Sequence, residues 1–326
     1  MIRNKSLKTG QANGQSSASA AVTSGVPQGT VLGPLLFNIY INDLPSCVAS
    51  TPRLFADDCL LYRVINTTED CLQLQKDLDS LQDWERTWGM EFNALKCEVV
   101  RITNRKSRLV HAEYYIHQQK LAIVDSAKYL GVNISKNLSW KRHVDVVCKK
   151  ANSTLAFLQR NIPCCPREIK VQCYQTYVRP IVEYAAIVWS PYTKCDTVRV
   201  ESVQRRAARF VTGQYQRSVS VTGLLSQLQW QSLEERRLQA RAAMLYRIVN
   251  RQVAVPLSMF PALPGHSITR GASTKFVVPQ CRTLAFKATF VPSITPVWNR
   301  LPQEVVSSPS IEAFKSRLAS MQLSAP

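Results

Sequence analysis

The chain has 326 residues, of which 45% are hydrophobic and 8% aromatic, and this apolar content excludes wholesale disorder. Lys and Arg total 41 against 22 for Asp and Glu, a formal net charge of +19 that favours a polyanionic partner, with nucleic acid ahead of an acidic membrane surface. No uncharged apolar stretch is long enough for a transmembrane helix, and the first 20 residues lack the apolar segment of a secretory signal. We therefore expect an intracellular protein, nuclear or cytoplasmic, that does not bind membranes. The ten cysteines include no C-x-x-C pair and are not grouped with the four histidines, so no zinc site is expected.

Residues 1–137 have a mixed helix and strand pattern. A glycine-rich loop precedes Pro34, which suits the first turn of a helix that ends before Pro45. Residues 54–62 predict a tight β-hairpin, because two short apolar arms flank an Asp-Asp pair. A long helix follows, capped by Thr67 and ended by Gly89, with an apolar stripe along one side. The remaining strand-like segments of this part are residues 98–103, 114–124 and 125–132, the last as a short strand or turn.

Beyond residue 137 the pattern becomes helical. The helix candidates are residues 140–159, 166–177, 178–189, 196–211 and 224–252, the last as one helix or a helix pair. Nine of the 17 prolines follow residue 252, so the tail is expected to be mostly irregular. A short closing helix is predicted there, capped by Ser308 and with an apolar face formed by Ile311, Phe314, Leu318 and Met321.

Asp57 and Asp58 are the first candidates for chemistry. Two adjacent carboxylates at a hairpin tip repel each other, and in a concave site a cation must lie between them. Carboxylate oxygens are hard ligands that suit Mg²⁺, and phosphoryl transfer uses paired ions to stabilise the attacking and leaving oxygens. A lone Asp-Asp turn is more often simply solvated, so the argument depends on what accompanies the pair.

The accompanying motifs resemble a known family. The string SGVPQGTVLGPLLF at residues 24–37, INDLP at 41–45 and FADD at 55–58 are similar to the reverse transcriptases of non-LTR retrotransposons of the jockey-like kind. The remaining matches follow in the family's order and extend the resemblance over nearly the whole chain: Asn93 with Lys96, YLG at 129–131, VQRRAARFVTG at 203–213 and WNRLP at 298–302.

The resemblance implies an α+β fold in three parts. Residues 1–137 would be a partial right-hand polymerase palm, a small antiparallel sheet with helices. Residues 138–252 would be an all-helical thumb-like region, and residues 253–326 a Pro-rich tail with a short terminal helix. The complete family copies an RNA template from a DNA primer with deoxynucleotide triphosphates and two Mg²⁺ ions.

The resemblance also implies roles for individual residues. Asp57 would be a direct metal ligand and Asp58 the supporting one, with Lys96 near the leaving pyrophosphate. The nucleotide- and template-binding residues would be Gln28, Gly29 and Ala56. The primer-grip turn would be Tyr129, Leu130 and Gly131.

One departure from the family bears on activity. Its polymerases need a third carboxylate, and this residue and the fingers lie upstream of the SGVPQG string. Residues 1–42 contain no Asp or Glu, and Asp43 stands in a helix-end context. We therefore expect the rear part of a polymerase, without polymerase activity of its own. The alternatives are a nucleic-acid-binding module without catalysis, which predicts salt-dependent binding, and a non-functional retroelement remnant, which predicts poor soluble expression.

The predicted helix at 196–211 carries a basic face beside its apolar face. Its arginines are Arg199, Arg205, Arg206 and Arg209, and Glu201 is the only acid that lies between the first and the last of them. The guanidinium fork suits phosphate, so these residues are candidates for contacting a nucleic-acid backbone, the alternative being an ordinary solvated face.

Overall fold

A computed structural model describes residues 29–103, 110–261 and 275–321, together with the backbone of four short strands between residues 6 and 22. The chain forms two compact units. The first holds the described residues up to 99 and those from 110 to 124, and the second holds 100–103 and those from 125 onward. The hairpin at 126–135 belongs to the second unit, because it packs through Val132 into the helical core that follows.

The first unit combines two helices with pairs of very short strands. Its elements are β1 (Ser6–Lys8), β2 (Gln11–Ala12), β3 (Gln15–Ser16), β4 (Ala20–Val22), α1 (Gly33–Tyr40), β5 (Thr51–Phe55), β6 (Asp58–Tyr62), α2 (Thr68–Trp88), β7 (Glu98–Val99), β8 (Tyr115–Ile116), β9 (Gln119–Lys120) and β10 (Ala122–Ile123). The pairs β1/β4, β2/β3, β5/β6 and β8/β9 are antiparallel, and β7/β10 is parallel. The strand expected at 114–124 is divided, because His117 and Gln118 have positive φ and turn the chain between β8 and β9.

Helix α2 has the predicted ends and forms the core of this unit. Thr67 is its N-cap in a capping box with Asp70, and Gly89 ends it at φ +68°. Its buried stripe includes Leu78, Leu81 and Trp84, while Trp88 at its end remains 42% exposed. The partly buried side of the β5/β6 hairpin and the segment after α1 pack against the same cluster.

The second unit is largely helical. Its elements are β11 (Ser126–Tyr129), β12 (Val132–Ser135), α3 (Lys141–Asn161), α4 (Arg167–Cys173), α5 (Arg179–Glu183), α6 (Lys194–Thr212), α7 (Val221–Gln227), α8 (Leu233–Val249), α9 (Leu284–Lys287), α10 (Phe290–Arg300), α11 (Gln303–Val306) and α12 (Ile311–Ala319). A π-helical turn, Tyr174–Val178, connects α4 to α5. The segment predicted as one helix over 178–189 leaves the helix at Tyr184, and Ala185 follows at φ +52°. One core cluster lies among α3 to α6 and a second lies between α8 and the C-terminal helices.

The tail is more helical than its proline content predicts. Helix α10 contains Pro292 in its first turn and Pro296 in its interior, and it is retained because Ile294, Val297 and Trp298 are buried against the α8 cluster. The closing helix α12 is confirmed, but its N-cap is Ser310, whose hydroxyl accepts the Ala313 N–H, rather than Ser308. The buried Ser308 hydroxyl donates instead to the Val305 carbonyl. None of the described helices is long and apolar enough to cross a membrane.

Candidate active-site hairpin and nucleic-acid interface

The loop before α1 begins the candidate site. Gly29 is exposed and has φ +81°, a conformation that glycine adopts without strain. Thr30 Oγ1 accepts the Gly33 N–H at 3.1 Å, at the first residue of α1 and just before Pro34. Gln28 lies outside the described residues.

The Asp-Asp pair lies at the tip of the predicted hairpin. Phe55 pairs with Asp58, which leaves Ala56 and Asp57 as a two-residue loop with Ala56 at φ +50°. Side chains alternate across a strand, so Asp58 shares the exposed face with Phe55 while Cys59 faces the core. Both carboxylates are exposed, and no hydrogen bond or ion pair within the described part of the chain engages either of them. The tip therefore presents two adjacent, unneutralised acids on a turn whose inner side is fixed by packing.

The Lys96 segment lies near this hairpin. Burial raises the pKa of the Cys59 thiol to about 11, and Cys97 adds to the rise, which shows that residue 97 is an electrostatic neighbour of β6. Asn93 Oδ1 accepts the Leu95 N–H at 3.1 Å and caps the 3₁₀ turn Ala94–Lys96. Lys96 itself is exposed. The first unit thus packs the Asp57–Asp58 hairpin and the Lys96 turn on one core.

Asp43 has a structural role. Trp84 donates its indole N–H to Asp43 Oδ1 at 3.0 Å, which ties the end of the α1 segment to α2. Within residues 29–103, 110–261 and 275–321, His, Cys, Asp and Glu side chains form no group of three or more that would hold a metal ion. The hairpin therefore offers two carboxylates, and Asp43 does not form a group of three acids with them within those residues.

The residues expected as a primer grip form a hairpin turn in the second unit. Tyr129 pairs with Val132, and the loop residues Leu130 and Gly131 have φ +45° and +81°. Tyr184, which the sequence analysis did not single out, donates its hydroxyl to the Leu130 carbonyl oxygen at 3.0 Å. No local pattern could have found Tyr184, because the contact joins positions 54 residues apart.

The four arginines of α6 have different environments. Arg205 and Arg206 are exposed, with Arg206 only loosely bonded to Ser202 Oγ at 3.5 Å. Arg209 is partly buried and donates to the Gln216 carbonyl at 3.1 Å. Arg199 pairs with Asp145 of α3, and this hydrogen bond raises the pKa of the guanidinium. Two of the four arginines are therefore open to a phosphate, while the other two already bind protein groups.

A second cationic face was missed by the sequence analysis. Helix α3 exposes Arg142, Lys149, Lys150 and Arg160 on one side, around Phe157, which is 57% exposed. The spacing of these cations along a helix was the available signal. A basic face with an exposed aromatic ring suits a nucleic-acid strand, since phosphates meet the cations and a base or sugar meets the ring.

Comparison with known proteins shows what the first part of the chain resembles. The family model of reverse transcriptase (RNA-dependent DNA polymerase) matches residues 2–134, a range that contains the SGVPQG string, the Asp57–Asp58 hairpin and the Lys96 turn. Residues 2–134 are therefore similar to a reverse transcriptase domain. The predicted resemblance is thereby confirmed.

The relatives of this reverse transcriptase domain are proteins of non-LTR retrotransposons. The chain is 28% identical over 201 residues to a probable RNA-directed DNA polymerase from transposon X-element of Drosophila melanogaster, covering 59% of this chain and 22% of the relative. It is 30% identical to the corresponding protein of transposon BS of the same species, covering 58% and 22%, and 26% identical to that of mobile element jockey, covering 62% and 23%. The chain thus spans less than a quarter of the length of these relatives.

Proposed function

We propose that the reverse transcriptase domain is the rear part of an RNA-templated DNA polymerase palm, and that the helical unit after it acts as a thumb on a template–primer duplex. The observation that supports this most directly is the FADD hairpin, because it presents two adjacent unpaired carboxylates on a tight turn. The relatives named for RNA-directed DNA polymerase activity support the substrate class: RNA template, DNA primer and deoxynucleotide triphosphates.

The two acids of the hairpin are suitable ligands for a Mg²⁺ ion. Asp57 and Asp58 supply hard oxygen ligands, and no lysine or arginine of the described chain neutralises them. A bound Mg²⁺ would supply charge stabilisation for the attacking and leaving oxygens of nucleotidyl transfer. The chain's own contribution is to hold both carboxylates on a packed hairpin. Lys96 is exposed on a turn that packs on the same core, and by the family resemblance its ammonium would offset charge on the leaving pyrophosphate.

The donor set is incomplete, so this chain is not expected to extend a primer by itself. Two-ion phosphoryl transfer needs a further carboxylate to hold the second ion. Asp43 does not form a group of three acids with Asp57 and Asp58 among the described residues, and residues 1–42 contain no acid. We infer that polymerisation requires a carboxylate from outside this sequence.

A metal titration tests the assignment without needing activity. The full chain is titrated with Mn²⁺ as a Mg²⁺ substitute, and binding is followed by electron paramagnetic resonance. We expect Asp57→Asn and Asp58→Asn each to weaken Mn²⁺ binding, and Asp83→Asn, on an exposed acid of α2 paired with Arg86, to leave it unchanged. Equal Mn²⁺ binding by all four proteins would refute the metal assignment.

A second candidate function is duplex binding without chemistry. The exposed cations of α3 and α6 favour it independently of the hairpin. It predicts binding to an RNA–DNA duplex that weakens steeply with salt and is unaffected by Asp57→Asn.

A further inference from the structure

The turn at Leu130–Gly131 is not explained by its own sequence. A two-residue hairpin loop with positive φ at both positions favours Asn-Gly or Gly-Gly, because a side chain at the first position is strained in the left-handed region. Here the first position is Leu130 at φ +45°. A strained loop of this kind persists only where surrounding structure holds it.

Tyr184 makes the contacts that hold the turn. Its hydroxyl donates to the Leu130 carbonyl oxygen at 3.0 Å, and its ring lies over Gly131. A Cβ added at Gly131 would come within 2.9 Å of Tyr184 Cε1. Glycine is therefore required at position 131 for two reasons: its φ is +81°, and the tyrosine ring leaves no space for a Cβ.

The backbone around Tyr184 is fixed by contacts of the preceding residue and of the Tyr184 carbonyl. The preceding residue, Glu183, forms an ion pair with Arg236 of α8, with Arg236 Nη2 at 3.0 Å from Glu183 Oε2. The Tyr184 carbonyl accepts the indole N–H of the fully buried Trp189 at 2.7 Å. The tyrosine ring nevertheless remains 57% exposed, so core packing does not explain its placement.

The geometry points to Tyr184 as a positioning residue for the primer-grip turn. The tyrosine fixes the strained conformation of Leu130 and Gly131, and thereby the direction in which Tyr129 and the turn backbone face a primer end. This inference rests on the proposed function of the turn. It adds a residue from the helical unit to the machinery that would hold the primer.

The test measures the turn and the primer end separately. Hydrogen exchange at the amides of residues 129–132 reports on the turn. Recognition of the primer end is measured as end selectivity. This is the affinity for a template–primer duplex with a recessed 3′ end divided by the affinity for the same duplex with blunt ends. In Tyr184→Phe we expect exchange about fivefold faster, as for the loss of one hydrogen bond, and a fall in end selectivity by a similar factor.

Two further variants sharpen the comparison. Leu130→Gly removes the backbone strain, so adding it to Tyr184→Phe should restore slow exchange at the turn, which a general loss of stability would not permit. Tyr177→Phe is the matched control, since Tyr177 is 59% exposed on the neighbouring helical turn and should leave both readouts unchanged.

The outcomes separate the two ideas. Unchanged exchange in Tyr184→Phe overturns the positioning role, and so does faster exchange with end selectivity preserved. A third outcome is that exchange is faster in Tyr184→Phe but the wild-type chain binds both duplexes equally. This result supports Tyr184 as the residue that holds the turn, but it refutes the assignment of that turn to the primer.

Discussion

Replacing Arg237 by methionine should stabilise the second unit. Arg237 is 2% exposed on α8, and its Nε and Nη1 atoms are buried without a hydrogen-bond partner in the described chain. Burial lowers the pKa of this guanidinium, although Glu201, Glu234 and Glu183 act in the opposite direction from a distance. A buried charge without direct partners costs several kcal/mol, and an apolar residue of similar volume removes that cost.

Arg241, one turn further along α8, is the matched control. It is 3% exposed, and its Nε and Nη2 atoms are also buried without a partner in the described chain, but its Nη1 donates to the Ala288 carbonyl at 3.1 Å and to Ser293 Oγ at 2.6 Å. Burial, together with repulsion from Arg237, lowers the pKa of Arg241 to about 10. Arg241→Met therefore loses two hydrogen bonds made by a charged donor, each worth about 1.5–3 kcal/mol.

Only Arg237→Met is expected to stabilise the unit. Arg237→Met should raise the free energy of unfolding by about 1–4 kcal/mol, whereas Arg241→Met should lower it or leave it unchanged. Hydrogen exchange of α8 amides in increasing urea reports on the second unit by itself. A loss of more than about 2 kcal/mol in Arg237→Met would refute the reasoning, because it would show an anionic partner for this guanidinium.

Three further predictions concern pH, backbone conformation and charge. Burial lowers the pKa of His143 to about 4, whereas the pKa in the unfolded chain is about 6.5, so the unfolded chain binds the proton more tightly. The free energy of unfolding should therefore fall by up to about 3 kcal/mol as the pH is lowered from 6.5 to 4. In His143→Gln, urea midpoints measured over the same pH range should not show this loss. Gly89→Ala, at φ +68° with open space around its Cβ, should cost about 1 kcal/mol in thermal unfolding, and Gly131→Ala should cost more because its Cβ would meet Tyr184; equal costs would contradict the close approach. Arg205→Gln with Arg206→Gln should reduce the slope of duplex affinity against salt by about two, whereas Arg199→Gln, already paired with Asp145, should change it by less than about one.

Local patterns predicted the elements that carry their own stop signals. Helix α2 begins at the capping box of Thr67 and ends at Gly89 because these residues satisfy the helix ends wherever the helix packs. The β5/β6 hairpin was predicted for a similar reason, since its register depends on which face is apolar. Helix α10 was missed because its prolines oppose a helix locally, and burial of Trp298 and its neighbours outweighs that preference.

The family resemblance, the acidic hairpin and the basic character were determined by the sequence alone, because motif order, residue type and net charge need no coordinates. Only the tertiary structure decided which of these groups are free to act. It joined Asp43 to Trp84, paired Arg199 with Asp145, left Arg205 and Arg206 open, and brought Tyr184 onto the Leu130–Gly131 turn. Each of these contacts joins residues more than 40 positions apart, and no local preference specifies a partner at that distance.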